Sequence, residues 1–195
     1  MRDMAQLRLQ TEVSQLEGSV QAADHPSLPP YLVPDACVLC DNLSLLKQLA
    51  ASARFIIIIP LVVIDQLDIL KKDSCGAREA IRWLEADFRK GNWYVRAQKN
   101  HEKTTALPLK NLKKKDRDAW RFLQIVDCCK YLAQQSGDCE PHGLACILSP
   151  YKVTSADISI RVKQAISSAQ QDGIAVQTAL EFHAKWKDLW KTSRG

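Results

Sequence analysis

The sequence predicts an α/β fold of three layers with a mostly parallel central sheet. Three observations predict it. Residues 55–59 (FIIII) and 143–148 (GLACIL) are short, continuous apolar runs of the kind found in strands buried on both faces. Stretches with apolar residues at helical spacing alternate with such runs along the chain. Hydrophobic residues make up 46% of the 195, enough to fill a core on both sides of a sheet. Strands joined by helices in this way should be linked by right-handed crossovers.

Taken in order, residues 1–24 place Leu9, Val13, Leu16 and Val20 on one helical stripe, with Gln, Arg and Glu elsewhere. This is the pattern of an amphipathic or coiled-coil-like helix. Alone it would be marginal in water, so it is expected to dock or pair. His25–Pro30 (HPSLPP) breaks the helix and reads as a linker over 25–30. The domain proper is expected over 31–195. Its first strand is expected at 31–34 and its first helix at 40–53, with Leu43, Leu46, Leu49 and Ala50 inward. The strand at 55–59 leads through Pro60, acceptable in a first helical turn, into a helix over 61–72. A helix at 76–90 carries Ala77, Ile81, Leu84 and Phe88 on its inner face, and Gly91-Asn92 turns the chain into a strand at 93–97. A long helix at 116–135 and the strand at 143–148 follow. A helix at 155–169, a strand at 174–176 and a helix at 178–191 complete the series. The five tryptophans fall within these elements and read as core or interface residues.

Composition narrows the classes. No apolar run approaches the roughly 20 residues of a membrane-spanning helix, and the N-terminus lacks the apolar core of a signal peptide. Seven cysteines, an odd number, do not form a disulfide framework. Cys37-x-x-Cys40 has no second CxxC or paired His motif to complete a zinc site. Cys128, Cys129 and Cys146 lie among apolar residues and read as small core hydrophobes. The expected setting is intracellular, without membrane contact. A net charge of +5 permits nucleic-acid contact without implying it.

In parallel α/β folds the site lies beyond the carboxyl ends of the strands. After the first strand comes Asp35. One helical turn beyond the second come Asp65, Gln66 and Asp68. Asp116 and Asp118 open the long helix. Ser149, Pro150 and Tyr151 follow the third apolar run, with no acid until Asp157. Each acid also has an ordinary structural role. Asp35 can cap the next helix. Asp116 and Asp118 suit the positive end of a helix dipole. Asp65 and Asp68 suit the solvent side of an amphipathic helix.

This order resembles the PIN-domain ribonucleases. In that family an Asp ends the first strand, a Glu follows the second in a phrase such as P-x-x-V-x-x-E-L, an Asp opens a later helix, and a fourth Asp follows the next strand. Here Pro60-Leu61-Val62-Val63-Ile64-Asp65-Gln66-Leu67-Asp68 matches the second phrase, with Gln66 at the place of the Glu. Tyr31-Leu32-Val33-Pro34-Asp35, Gly76-Ala77-Arg78 and the helix leading into the domain are similar to PIN domains of the SMG group of nonsense-mediated mRNA decay factors. Within that group the chain most resembles the member whose site departs from the nuclease pattern. The family's carboxylates hold Mg²⁺ or Mn²⁺, hard cations that favour oxygen ligands and activate water. Gln66 loses one of those charges. Asp65 and Asp68 lie about 100° and 200° around the helix from it and do not substitute simply. Ala36 and Cys37 replace the polar pair that usually follows the first Asp. The third acid is Asp118 or Asp116. The fourth is missing at Ser149-Pro150-Tyr151, unless Asp157 supplies it.

The resemblance therefore implies a catalytically inactive PIN-like domain. Asp35 and Asp118 would be a vestigial acidic site, Gln66 the lost position, and neither metal nor other cofactor is expected. It further implies other SMG-group factors, the phosphorylated decay helicase and a protein phosphatase as partners, in the cytoplasm with passage to the nucleus. The alternative is a single-stranded endoribonuclease with an altered site, dependent on Mg²⁺ or Mn²⁺. Residues 99–117 (KNHEKTTALPLKNLKKKDR) carry seven Lys or Arg against two acids. Lys110, Lys113, Lys114, Lys115 and Arg117 are thus candidates for contact with single-stranded RNA phosphates.

Overall fold

The structure is a computed structural model and describes residues 28–102, 117–135, 143–150 and 159–192. The expected N-terminal helix and linker lie almost wholly outside that range. The described elements are β1 (Tyr31–Pro34), α1 (Ala36–Asp41), α2 (Leu43–Ala51), β2 (Ile56–Ile59), α3 (Leu61–Leu70), α4 (Cys75–Lys90), β3 (Val95–Ala97), α5 (Arg117–Gln135), β4 (Ala145–Ser149), α6 (Ile160–Gln171), β5 (Ala175–Thr178) and α7 (Ala179–Thr192). All four strand pairings are parallel, in the order β3-β2-β1-β4-β5.

The layers follow from what packs on β4 and β5. Helices α5 and α6 pack on one another and reach these strands, while α7 reaches the same strands and packs on α2. Two helix groups that share strands without sharing a surface lie on opposite faces. The central strands are apolar on both faces for that reason: Leu32, Val33, Ile57, Ile58, Ile59, Cys146, Ile147 and Leu148 are fully buried. Cys128 and Cys129 are buried with them on α5. Burial pushes the Cys128 and Cys146 thiols up to about 12 and Cys129 well above the ordinary thiol range.

Local chemistry fixes the joints. Ser74 caps α4 by accepting from the Ala77 amide at 3.2 Å. The helix ends at Gly91, whose φ of +65° is left-handed and easiest for glycine. Asn92 then donates to Asp87 and accepts from the Tyr94 amide, which aims the chain into β3. Gly76 answers a different need. A Cβ there would lie 2.4 Å from the Cys40 carbonyl oxygen, so its absence lets α4 press against the end of α1.

Several expectations change. The expected single helix over 40–53 is two helices, because α1 begins right after Asp35 and a break at Asn42 separates it from α2. The inner face of α4 is Ala77, Ala80 and Leu84, with Ile81 half-buried and Phe88 36% exposed. Trp93 belongs to the turn before β3 and is 89% exposed, so it is not a core residue, and Trp120 is 41% exposed. Among the described residues no helix is long and apolar enough to cross a membrane.

Candidate functional site at the strand carboxyl ends

The strand order places β1 between β2 and β4. The chain leaves β1 first toward β2 and later returns on its other side to β4. The carboxyl ends of β1 and β4 therefore flank the switch point of the sheet, where a crevice opens in this architecture. Asp35 is the first residue beyond β1. Its amide donates to the Leu148 carbonyl at 3.0 Å, fastening the backbone there to β4. Ser149, the last residue of β4, is buried beside it.

Asp35 holds the N-cap position of α1 in extended conformation, yet its side chain makes no capping hydrogen bond. Burial raises its pKa above the ordinary Asp value. The neighbouring amides of Ala36 and Cys37 and the charge of Arg121 pull it partly back, while Asp118 pushes it further up. These influences bring the first turn of α5 to Asp35. Asp118 there is exposed and pairs at 3.1 Å with Arg121, one turn further along the same helix. Cys37 lies in the same neighbourhood. Its thiol is pushed up to about 11, first by burial and then by Asp35, Cys40, Asp41 and Asp118. Gln66 is half-buried on α3, which packs on both α1 and α5. Asp65 and Asp68 are exposed, and Asp68 is bound to Lys71 at 2.9 Å.

Helices α1, α3 and α5 thus meet at one end of the sheet and bring Asp35 and Asp118 within electrostatic reach of each other. Arg117 stands exposed at the start of α5. Lys110, Lys113, Lys114, Lys115, Asp116 and Asp157 lie outside the described residues. Arg121 was not among the residues singled out from the sequence. A signal was available: a base one turn inside a helix N-terminus opposes the dipole and calls for an acid nearby.

The donor set can be weighed against a divalent ion. Among the described residues no three His, Cys, Asp or Glu side chains converge to hold one. The two acids that approach share their field with a guanidinium, which repels a cation, and Gln66 contributes no charge. The described residues by themselves do not supply the clustered carboxylates such a metal requires, and Asp116 and Asp157 stand outside them.

The site at the switch point of a parallel five-stranded sheet, with an Asp closing the first strand, defines the class: the chain belongs to the PIN-domain family, whose profile matches residues 32–179. Its relatives narrow this further. Over 193 residues it is 48% identical to "Nonsense-mediated mRNA decay factor SMG5" of Danio rerio, covering 97% of this chain and 17% of that protein. The protein of the same name from Homo sapiens is 46% identical over 97% of this chain and 19% of its own length. The chain thus spans less than a fifth of these relatives. The structure of the PIN domain of human SMG5 is similar with a TM-score of 0.50 at 33% identity, over 80% of this chain and 99% of that one. Both the expected fold and the expected SMG-group resemblance are borne out.

Proposed function

We propose that this is a non-catalytic PIN domain that serves as an interaction and RNA-contacting module in nonsense-mediated mRNA decay, within a factor linked to dephosphorylation of the decay helicase. The name shared by its curated relatives supports the pathway. The observation that supports the loss of catalysis is Arg121, which pairs with Asp118 and lowers the Asp35 pKa by its charge, standing among the surviving acids. A site of this kind supplies its own countercharge. Asp35 and Asp118 are then structural remnants, and Gln66 marks the acid that was lost. Other SMG-group factors, the phosphorylated helicase and a phosphatase are the proposed partners, in the cytoplasm with passage to the nucleus. Lys110, Lys113, Lys114, Lys115 and Arg117 are the proposed phosphate contacts.

Incubation of single-stranded RNA with Mn²⁺ tests the first part. The expected result is no cleavage above that of the Asp35→Ala variant. Cleavage by the wild type that Asp35→Ala abolishes would establish the endoribonuclease instead. Replacing Lys113, Lys114 and Lys115 by Glu tests the second part. RNA affinity should fall and its salt dependence flatten, because fewer phosphates are neutralised. Unchanged binding would remove the loop from the interface.

A further inference from the structure

At the opposite end of the sheet from Asp35, a groove of about 470 Å³ lies between the end of α2 and the last turns of α7. Trp186 and Trp190 line it from α7, with Ala51 and Ser52 across from them and Arg54 and Lys187 contributing positive charge. The Arg54 guanidinium stacks over the Trp190 ring at 4.3 Å. Phe55 meets Trp186 edge-on at 6.1 Å, which anchors one wall to the residue just before β2. Among the described residues the buried Trp186 Nε1 has no hydrogen-bond acceptor. Indole N–H groups normally find one when buried. The groove is thus apolar, rimmed by cations, and short of one acceptor.

The chain itself supplies a matching occupant. Pro30 accepts a hydrogen bond from the Ile56 amide at 2.8 Å, and Leu28 packs on the core. The residues before Leu28 therefore join the domain at the amino end of β1, beside β2 and the Arg54–Phe55 corner of the groove. The sequence there carries the apolar stripe Leu9, Val13, Leu16 and Val20. At about 100° per residue, Glu12 borders this stripe on one side and Glu17 and Asp24 on the other. Residues 9–24 contain those three acids and no Lys or Arg. Apolar stripe and acidic borders complement apolar walls and basic rim. The three residues 25–27 that remain before Leu28 can span roughly 10 Å when extended.

We propose that residues 9–24 seat their Leu9–Val13–Leu16–Val20 stripe in this groove within the same chain, over Trp186 and Trp190, with the bordering acids toward Arg54 and Lys187. The segment gains the partner that so short an amphipathic helix needs. Tethering makes the contact intramolecular and raises its effective concentration. It also makes the groove a competed surface: another protein's amphipathic helix must displace residues 9–24 to enter.

The test uses the full 195-residue chain with Val13 and Leu16 both changed to Asp, substitutions that remove the stripe without touching the described core. Cleavage after Glu17 by a glutamyl endopeptidase should be about tenfold faster in this variant than in the wild type, as for a contact that closes the segment ten times in eleven. In ¹H–¹⁵N spectra the Trp186 and Trp190 indole resonances should shift between the two, and those of Trp93 and Trp120 should not. Changing Arg54 and Lys187 to Glu should speed the same cleavage. Equal cleavage rates with superimposed Trp186 and Trp190 resonances would overturn the proposal and leave the groove to another protein. So would protection that disappears on dilution while the sedimenting mass falls from dimer to monomer, which would assign the groove to a second copy.

Discussion

Two carboxylates at the same end of the sheet are taken out of water, and their fates differ. Asp35 follows β1 and Glu102 follows the turn after β3. Around Glu102 the desolvation is more than repaid: Arg96 donates to it at 2.8 Å, and the Lys99 amide donates at 2.8 Å. Its pKa ends below the ordinary Glu value, although burial alone would raise it. Gln98 completes the knot by donating to the Glu102 carbonyl and accepting from the Leu61 amide at 3.1 Å. That second bond satisfies an open donor at the start of α3. Among the described residues Asp35 has no comparable set. Arg121 reaches it only as a charge shared with Asp118, and burial wins. The lesson is that burial does not itself mark a functional acid. A fully paired buried acid holds the fold together, whereas an acid whose burial is left under-compensated is a candidate for another role.

The comparison breaks most visibly at Glu102. Replacing it with Ala should lower stability by about 2–3 kcal/mol, because Arg96 and the Lys99 amide lose their acceptor in a largely buried turn. Chemical denaturation followed by circular dichroism measures this. Glu102→Gln keeps the shape and should cost about 1 kcal/mol, and it should also change the response to acid. The folded pKa of Glu102 is depressed, so its contribution is complete above the ordinary Glu range and is lost as pH falls through that range toward the folded value. The variant's stability should therefore decline less over that window. Gly76→Ala tests the frame that carries Asp35. A Cβ pressed on the Cys40 carbonyl must push α4 from α1, with an expected loss of about 2 kcal/mol in the same assay.

What could be read from the sequence divides along the same line. The buried strands announce themselves: residues 55–59 admit almost no other assignment, and β2 falls at Ile56–Ile59. Asp35 and Asp118 were legible as positions because they stand at a strand end and a helix start, and Gln66 because the phrase Pro60–Asp68 resembles one in PIN domains. Their energetics were not legible. Nothing in the spacing of Asp35 and Arg121 reveals that the first turn of α5 comes within electrostatic reach of Asp35, since that depends on a crossover spanning most of the domain. The Glu102 knot was hidden for the opposite reason. Its acid, Glu102, lies in the stretch 99–117, whose composition reads as a basic loop, while Arg96 and Gln98 come before that stretch. The split at Asn42 was missed because Val38, Leu39, Leu43 and Leu46 run on at helical spacing through the break.

Smaller effects sharpen the contrast at Asp35 itself. The isosteric Asp35→Asn removes a charge that burial disfavours, so it should stabilise the domain at neutral pH by about 0.5–1 kcal/mol. The sign in acid is opposite to that of Glu102. A raised folded pKa means the native state takes up its proton first, so the penalty is complete above the folded pKa and relieved as pH falls from there toward the ordinary Asp value. The advantage of Asp35→Asn should shrink across that window, which denaturation at stepped pH would reveal. Destabilisation by Asp35→Asn at neutral pH would show instead that the carboxylate is paired as thoroughly as Glu102.

Arg121→Gln carries the smallest effect, about 0.5 kcal/mol of lost stability at neutral pH, because Asp118 is exposed and its pairing is screened by water. Its value lies in direction. With the guanidinium gone, among the described residues only the two amides lower the Asp35 pKa against burial and Asp118. The Asp35 titration, followed by the carboxyl carbon shift in NMR, should move upward. A titration that stays in place would mean Arg121 acts on Asp118 alone, and the internal countercharge would then serve only the surface of the site.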